Sequence, residues 1–131
     1  MKKLVWVIDD IEEVRAAFSM MLKIIGYEVE SFSDARSPAR ALMDGKQPDI
    51  LFVDINIPEV SGIELLKFIR QRDIWKQLPI LMVTSESDET MVEEAIRLGA
   101  EGYVFKPVNF EELSNAITIA LKRRELLAGR E

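Results

Sequence analysis

The stretch LVWVIDD, residues 4–10, places two aspartates directly after a short run of apolar and mostly β-branched residues. Three later runs have the same character, at residues 50–53, 80–83 and 103–105. Such runs are typical of strands buried on both faces of a sheet. A fifth run, Val29–Phe32, alternates apolar and polar residues, which predicts a strand at the edge of the sheet.

The segments between these runs carry apolar residues at the spacing of amphipathic helices. The first helical face runs from Ile11 to Ile25, and Gly26 supplies a C-terminal stop. Four more helices are predicted, over residues 38–43, 62–70, 89–98 and 110 to about 124. Strands that alternate with helices favour right-handed crossovers and a parallel sheet. We therefore predict an α/β fold, a doubly wound parallel sheet with helices on both faces.

Composition limits what such a domain can do. The 131 residues suffice for one domain, and 17 basic against 23 acidic residues give a net charge of -6, which disfavours contact with nucleic acid. The chain holds no cysteine and no histidine, which excludes disulfides, thiolate or imidazole metal sites and most hydrolase constellations. No apolar run approaches the roughly twenty residues of a membrane span. We expect a cytoplasmic protein with no membrane segment.

Polar side chains follow the predicted strands at the points where the strands end. Asp9 and Asp10 follow the first strand, Asp54 follows the apolar run that starts at residue 50, and Thr84 and Lys106 follow the last two. Ligands bind at the carboxyl ends of an open parallel sheet, so we expect these groups to converge. Neighbouring carboxylates repel one another unless a cation lies among them, and a site of oxygen donors alone favours Mg²⁺.

This set of groups is suited to phosphoryl transfer onto a carboxylate. Asp54, on the presumed central strand, is the candidate nucleophile, and Asp9 and Asp10 are left to hold the metal. The Thr84 hydroxyl can donate a hydrogen bond to a phosphoryl oxygen. The ammonium of Lys106 can pair with the carboxylate first and with the phosphoryl group afterwards.

Each of these residues taken singly has a simpler interpretation. Asp9 or Asp10 could cap the helix that begins near Ile11, and Asp54 could start the turn that leads to Pro58. A lysine that precedes a proline is ordinarily a solvated loop residue. The placement of such groups at four separate strand ends is what favours a shared site.

The ordered set of residues resembles the receiver domain of two-component response regulators, from residue 3 to about residue 124. Each part of the family's motif has a counterpart in the same order: the acidic pair Asp9 and Asp10, the phosphoacceptor Asp54, the switch residue Thr84, and Lys106-Pro107. The resemblance implies a flavodoxin-like, five-stranded sheet in the order 2-1-3-4-5 with five flanking helices. It also implies Mg²⁺-dependent transfer of a phosphoryl group from the phosphohistidine of a sensor kinase to Asp54. Such a chain promotes only its own phosphorylation and dephosphorylation and is not otherwise an enzyme.

The resemblance implies further roles for loop residues. The backbone carbonyl of Asn56 would complete a metal shell formed with the three aspartates. Tyr103 would swing inward as Thr84 moves to the phosphoryl group, although an ordinary edge-strand aromatic is the simpler interpretation. Glu86 would affect how water approaches the phosphoryl group. The peptide bond between Lys106 and Pro107 is commonly cis in the family.

The expected readout face consists of the fourth helix, the fifth strand and the fifth helix. Its expected rim is Met91, Val92, Ile96 and Tyr103, and of these we expect Ile96 in the core. The implied partners are a sensor histidine kinase or histidine phosphotransfer protein, and a downstream protein target or an output domain missing from this chain. We take residues 1–124 as the receiver domain and residues 125–131 as a C-terminal tail that frays.

Three other functions are open on the sequence alone. A nucleotide or flavin carrier would need a phosphate-cradling loop after its first strand, where this chain has Asp9-Asp10-Ile11-Glu12-Glu13. An aspartyl phosphatase would carry a second acid close after its nucleophile, where this chain has Asn56. A phosphorylation-independent docking module with a receiver-like fold would not need the complete set of site residues.

Overall fold

Strands and helices alternate along the chain, as the apolar periodicity predicts. The computed structural model describes residues 2–85 and 88–128. The elements are β1 (Leu4–Ile8), α1 (Glu12–Ile25), β2 (Glu28–Phe32), α2 (Arg36–Met43), β3 (Ile50–Asp54), α3 (Gly62–Arg70), β4 (Ile80–Thr84), α4 (Glu89–Arg97), β5 (Gly102–Phe105) and α5 (Phe110–Ala128). All strand pairs are parallel and follow the order β2-β1-β3-β4-β5, which confirms the predicted doubly wound, flavodoxin-like fold.

The sheet separates two apolar cores. Successive residues of β1 point to opposite faces, so Trp6 packs with Leu66 of α3 on one side and Val7 packs with Phe18 of α1 on the other. Because helices cover both faces, β3 and β4 are buried along their whole length, which explains their unbroken apolar runs. The edge strand β2 is partly exposed, in agreement with its alternating sequence.

The strand register places the polar residues at one edge of the sheet. Ile8 of β1 pairs with Val53 of β3, and Thr84 of β4 pairs with Phe105 of β5. The residues at the ends of these strands therefore meet at the carboxyl edge, where crevices in folds of this type bind ligands.

Helix α5 is longer than the sequence predicts. Its predicted end near Arg124 is not observed, because the helix continues to Ala128 and so includes part of the segment expected to fray. The guanidinium of Arg124 pairs with the buried carboxylate of Glu101, and Arg123 donates a hydrogen bond to the Glu101 carbonyl at 3.1 Å. These contacts hold the last third of α5 against the residue that precedes β5. Residues 129–131 lie outside the described residues, and a domain boundary at residue 124 stays a prediction.

No helix within residues 2–85 and 88–128 is both long and apolar enough to cross a membrane.

Glu59 adopts a left-handed backbone conformation, with φ at 68°, in the loop between β3 and α3. This conformation costs a residue with a Cβ about 1 kcal/mol or more, and glycine escapes most of that cost. The Glu59 carboxylate makes an exposed ion pair with Arg36 at 3.9 Å, which contributes little to stability. We expect Glu59→Gly to raise the free energy of unfolding by about 0.5 kcal/mol, since the greater entropy of glycine in the unfolded chain offsets part of the gain.

Urea denaturation measures this difference. Arg36→Ala removes the same ion pair without changing the backbone at Glu59, so it serves as the control and should leave the unfolding midpoint nearly unchanged. A Glu59→Gly variant less stable than the native chain would contradict the strain argument.

Candidate functional site

Three carboxylates meet at the carboxyl edge of the sheet. Asp9, Asp10 and Asp54 each place one oxygen within 4.8 Å of the others. Asp9 follows β1 and is 2% exposed, Asp54 ends β3 and is 4% exposed, and Asp10 is open to solvent. The structure thus brings together the three acidic residues that the sequence analysis selected.

Lys106 bridges the two buried carboxylates. Its Nζ lies 2.8 Å from Asp9 Oδ2 and 3.2 Å from Asp54 Oδ2. The backbone N–H of Lys106 donates a 2.7 Å hydrogen bond to the Thr84 carbonyl, which continues the pairing of β4 and β5 beyond the end of the sheet. The Lys106-Pro107 peptide is cis, as expected. Lys106 is therefore not a solvated loop residue but part of the acidic cluster.

The charges of the cluster do not balance. Burial, followed by the negative charge of Asp9, raises the pKa of the Asp54 carboxyl above its ordinary value, and the Lys106 ammonium only partly opposes this. Burial disfavours the charge on Lys106, but its close ion-pair contact with Asp9 and the negative charge of Asp54 outweigh burial and raise the pKa of the ammonium. One lysine is thus held firmly charged among three carboxylates, and the excess negative charge favours a further cation.

Both buried aspartates also accept a hydrogen bond from the backbone of the loop that follows them, but neither Asp9 nor Asp10 caps α1, whose N-cap is Ile11 and which has no side-chain cap. Asp9 Oδ1 accepts a 2.9 Å hydrogen bond from the backbone N–H of Ile11, which precedes α1. Asp54 Oδ1 accepts a 3.2 Å hydrogen bond from the backbone N–H of Asn56, as in an Asx turn. In both residues Oδ1 anchors a loop while Oδ2 faces Lys106. The structural and chemical roles are therefore divided between the two oxygens of each carboxylate.

The donor set fits a magnesium ion. The three aspartates of the cluster offer oxygen, the ligand atom that Mg²⁺ prefers. Asp9 Oδ2 is buried and accepts no well-aligned hydrogen bond within the described part of the chain, although the Lys106 ammonium lies beside it. Asn56, whose backbone carbonyl is the fourth predicted ligand, directs its side-chain amide away to Asp88 Oδ2 at 2.8 Å.

Gly62 lets helix α3 lie directly against the end of β3. A Cβ at this position would stand 2.2 Å from the carbonyl oxygen of Asp54, a distance that no real side chain adopts. The Gly62 N–H donates to the Ile55 carbonyl at 3.0 Å, and the hydroxyl of Ser61 caps the helix by accepting from Glu64 N–H. The sequence predicts Gly62 at the start of a helix but does not reveal its role in setting the position of the Asp54 backbone.

Thr84 is buried and its hydroxyl is already engaged. Its Oγ1 lies 3.2 Å from Asp88 Oδ2, and a weaker alternative acceptor, the Ser85 carbonyl oxygen, lies at 3.3 Å. The sequence pattern does not predict this contact with Asp88. The available signal was an acidic residue at the start of a predicted helix, four positions after the hydroxyl. Glu86, expected to affect the approach of water, lies outside the described residues.

Tyr103 lies on the outer surface of β5 and is 45% exposed, with its ring edge-to-face against Phe105 at a centroid distance of 5.1 Å. With Val92 and Ile96 of α4, these rings line a groove of about 390 Å³. The expectation that Ile96 lies in the core is wrong, since it is 41% exposed. Helix α4 buries the side chains of Val92 and Ala95, and Ile96 lies beside this buried face of the helix and not within it.

Residues 5–118 match the family model of the response regulator receiver domain. The chain belongs to this receiver family. The match spans β1 to the middle of α5, and so includes every strand of the sheet and the acidic cluster.

Relatives of this receiver occur both as short and as longer proteins. It is 31% identical over 117 residues to the chemotaxis protein CheY of Pseudomonas aeruginosa, an alignment that covers 89% of this chain and 94% of CheY. It is 30% identical over 128 residues to the alkaline phosphatase synthesis transcriptional regulatory protein PhoP of Bacillus subtilis, covering 98% of this chain but 52% of PhoP. The receiver thus spans only about half the length of this second relative, and 18% of the RcaC protein of Microchaete diplosiphon.

Solved structures share the receiver fold. Chemotaxis protein CheY4 of Vibrio cholerae superposes with a TM-score of 0.82 at 32% identity, covering 92% of this chain and 99% of the other. A putative response regulator of Chloroflexus aurantiacus gives a TM-score of 0.86 at 28% identity, with the same coverage of both chains.

Proposed function

We propose that this receiver accepts a phosphoryl group on Asp54 from the phosphohistidine of a sensor kinase or of a histidine phosphotransfer protein, in a Mg²⁺-dependent reaction. The observation that carries the proposal is the buried pair Asp9 and Asp54 bridged by the Lys106 ammonium, with Asp10 open beside them. A docking module that never carries phosphate would have no use for a buried, charge-unbalanced cluster, whose assembly costs stability.

In the proposed reaction a carboxylate oxygen of Asp54 attacks the phosphorus. A bond between that oxygen and phosphorus forms, the bond between the donor imidazole nitrogen and phosphorus breaks, and the imidazole leaves with the bonding electrons and takes up a proton. Asp9, Asp10, Asp54 and the Asn56 carbonyl would hold Mg²⁺, which when bound neutralises charge on the phosphoryl oxygens. The receiver acts on itself in this reaction and has no separate substrate to turn over.

Lys106 and Thr84 have complementary parts in this scheme. The Lys106 ammonium, 3.2 Å from Asp54 Oδ2, moves from the carboxylate to a phosphoryl oxygen as the negative charge shifts outward. The Thr84 hydroxyl, at the end of the adjacent strand, donates to another phosphoryl oxygen. The backbones of both residues are held at strand ends, so only their side chains need to move when the charge develops.

The proposed readout face is formed by α4, β5 and α5. Tyr103 lies on the groove between α4 and β5, and in the proposal it turns inward when Thr84 moves toward the phosphoryl group. The occupant of this face is a downstream protein or an attached output domain. The partial coverage of PhoP is compatible with the second arrangement.

Intact mass spectrometry after incubation with acetyl phosphate tests the proposal. We expect the chain to gain one phosphoryl group in the presence of Mg²⁺ and none in EDTA, because without a divalent cation the incoming charge meets three carboxylates. A folded chain that binds Mg²⁺ but gains no mass from acetyl phosphate or from phosphorylated histidine kinase would contradict it.

A further inference from the structure

One oxygen of Asp88 collects hydrogen bonds from both loops that border the site. Asp88 Oδ2 accepts from Asn56 Nδ2 at 2.8 Å, from Ser85 Oγ at 3.0 Å and from Thr84 Oγ1 at 3.2 Å. Asn56 lies in the loop that follows β3. Thr84 is the last residue of β4, and Ser85 is the first residue after it. Hydrogen bonds to an ionised acceptor are stronger than neutral ones, and these contacts lower the pKa of the Asp88 carboxyl.

Asp88 does not perform the role that its position suggests. It occupies the N-cap position of α4, where aspartate is among the preferred residues because its side chain accepts a hydrogen bond from the first turn. Here the Asp88 side chain makes no capping hydrogen bond, whereas Ser61 at the start of α3 does cap its helix. The carboxylate is turned back toward the loops after β3 and β4.

The Thr84 hydroxyl has a single proton and can donate it to one acceptor at a time. We propose that Asp88 is a positioning residue for Thr84, which holds the hydroxyl in the unphosphorylated chain and so opposes its transfer to a phosphoryl group on Asp54. This inference rests on the proposed function. The negative charge of the Asp88 carboxylate also lies beside the Thr84 hydroxyl. It would repel the negatively charged phosphoryl group that the hydroxyl has to approach. Phosphorylation must therefore break this contact before Thr84 can move.

Two substitutions of Asp88 test the proposal. Asp88→Ala removes the carboxylate, and Asp88→Ser removes it while keeping a side chain able to cap α4. At limiting acetyl phosphate and saturating Mg²⁺, we expect the ratio of phosphorylated to unphosphorylated chain to rise about fivefold in both variants. This is less than the roughly tenfold at which the range for a hydrogen bond to a charged group begins, because the Asp88 carboxylate is partly exposed and solvent screens it. Glu89→Gln removes the same charge one position further along, and should leave the ratio unchanged.

A spectroscopic readout separates this role from a purely structural one. In the unphosphorylated, Mg²⁺-free chain the methyl resonance of Thr84 reports the rotamer that the Asp88 contact holds. We expect this resonance to shift in Asp88→Ser and Asp88→Ala and to stay in place in Glu89→Gln. If Asp88 only stabilised α4, Asp88→Ser would match the native chain in both measurements.

The outcomes distinguish the two proposals. Asp88 variants with a native or reduced phosphorylated ratio and an unshifted Thr84 resonance would overturn the role of Asp88 while leaving the proposed function intact. A native chain that gains no phosphoryl group would instead overturn the proposed function, and the Thr84 resonance would still decide whether Asp88 holds the hydroxyl.

Discussion

Asp54→Asn is expected to take up no phosphoryl group from acetyl phosphate at any Mg²⁺ concentration, and yet to be more stable than the native chain in Mg²⁺-free buffer. The amide has nearly the shape of the carboxylate but is no nucleophile. It also removes one of the negative charges that crowd the cluster. We expect a gain of about 1 kcal/mol in the free energy of unfolding, since Lys106 and solvent already offset part of the repulsion.

The gain in stability should depend on pH in a defined direction. The pKa of Asp54 is raised in the folded chain, by burial first and the charge of Asp9 second, so the folded state binds this proton more tightly than the unfolded state. The native chain therefore loses stability as the pH rises from the ordinary carboxyl pKa through the raised one. The advantage of Asp54→Asn should be complete at neutral pH and disappear in acid, as chemical denaturation across pH can show.

Asp73→Asn is the matched control, because it makes the same substitution at an exposed carboxylate that pairs with Lys76 outside the cluster. It should take up the phosphoryl group like the native chain and show little change in stability. Full phosphorylation of Asp54→Asn would show that another residue is the acceptor.

Gly62→Ala is expected to destabilise the chain by about 3 kcal/mol, a large effect for a single added methyl group. The new Cβ would stand 2.2 Å from the Asp54 carbonyl oxygen and 2.9 Å from its carbon. Both atoms belong to the backbone, so α3 or the end of β3 must shift to relieve the clash. The expected loss of stability therefore lies at the upper end of the range for overpacked cores. Guanidinium denaturation measures the loss. The surviving folded fraction should accept phosphoryl groups more slowly, because the shift moves Asp54 relative to Lys106.

Gly102→Ala controls for the general effect of replacing glycine in this sheet. A Cβ at Gly102 would meet only the end of the flexible Leu81 side chain, at 3.3 Å. We expect a change in stability below about 1 kcal/mol for this variant. If both variants lost the same stability, close approach to Asp54 would not explain the requirement for glycine at position 62.

The strands could be predicted because they follow from local apolar patterns. The convergence of the polar groups could be predicted because it follows from one rule of sheet topology. Apolar runs buried on both faces identify β1, β3 and β4, and a parallel sheet brings their carboxyl ends to one edge. Asp9, Asp54 and Lys106 were found in this way. Their chemical roles stay predictions until the phosphorylation experiments are done.

The remaining features depend on contacts that the linear sequence does not encode locally. The contact of Asp88 with Thr84 depends on the path of the loop between β4 and α4. The close approach of Gly62 to Asp54 depends on how α3 packs against β3. Ile96 follows Val92 by four residues, so periodicity alone puts both on one face, although only Val92 is buried. A small rotation of α4 against the sheet decides whether Ile96 is buried or exposed.

The light burial of α4 has a consequence for how much free energy a switch in this chain requires. Helix α3 buries Gly62, Ile63, Leu65, Leu66 and Ile69 and has a side-chain cap, whereas α4 buries Val92 and Ala95 and has none. Helices with few buried apolar contacts lie at the low end of local stability and open most easily. Suppose that α4 can take two positions. A free-energy difference of about 1.4 kcal/mol, applied at the end of the helix near Thr84, then changes the ratio of their populations tenfold. The shallow anchoring of α4 thus sets a low energetic threshold for relaying events at the acidic cluster to the outer surface of the molecule.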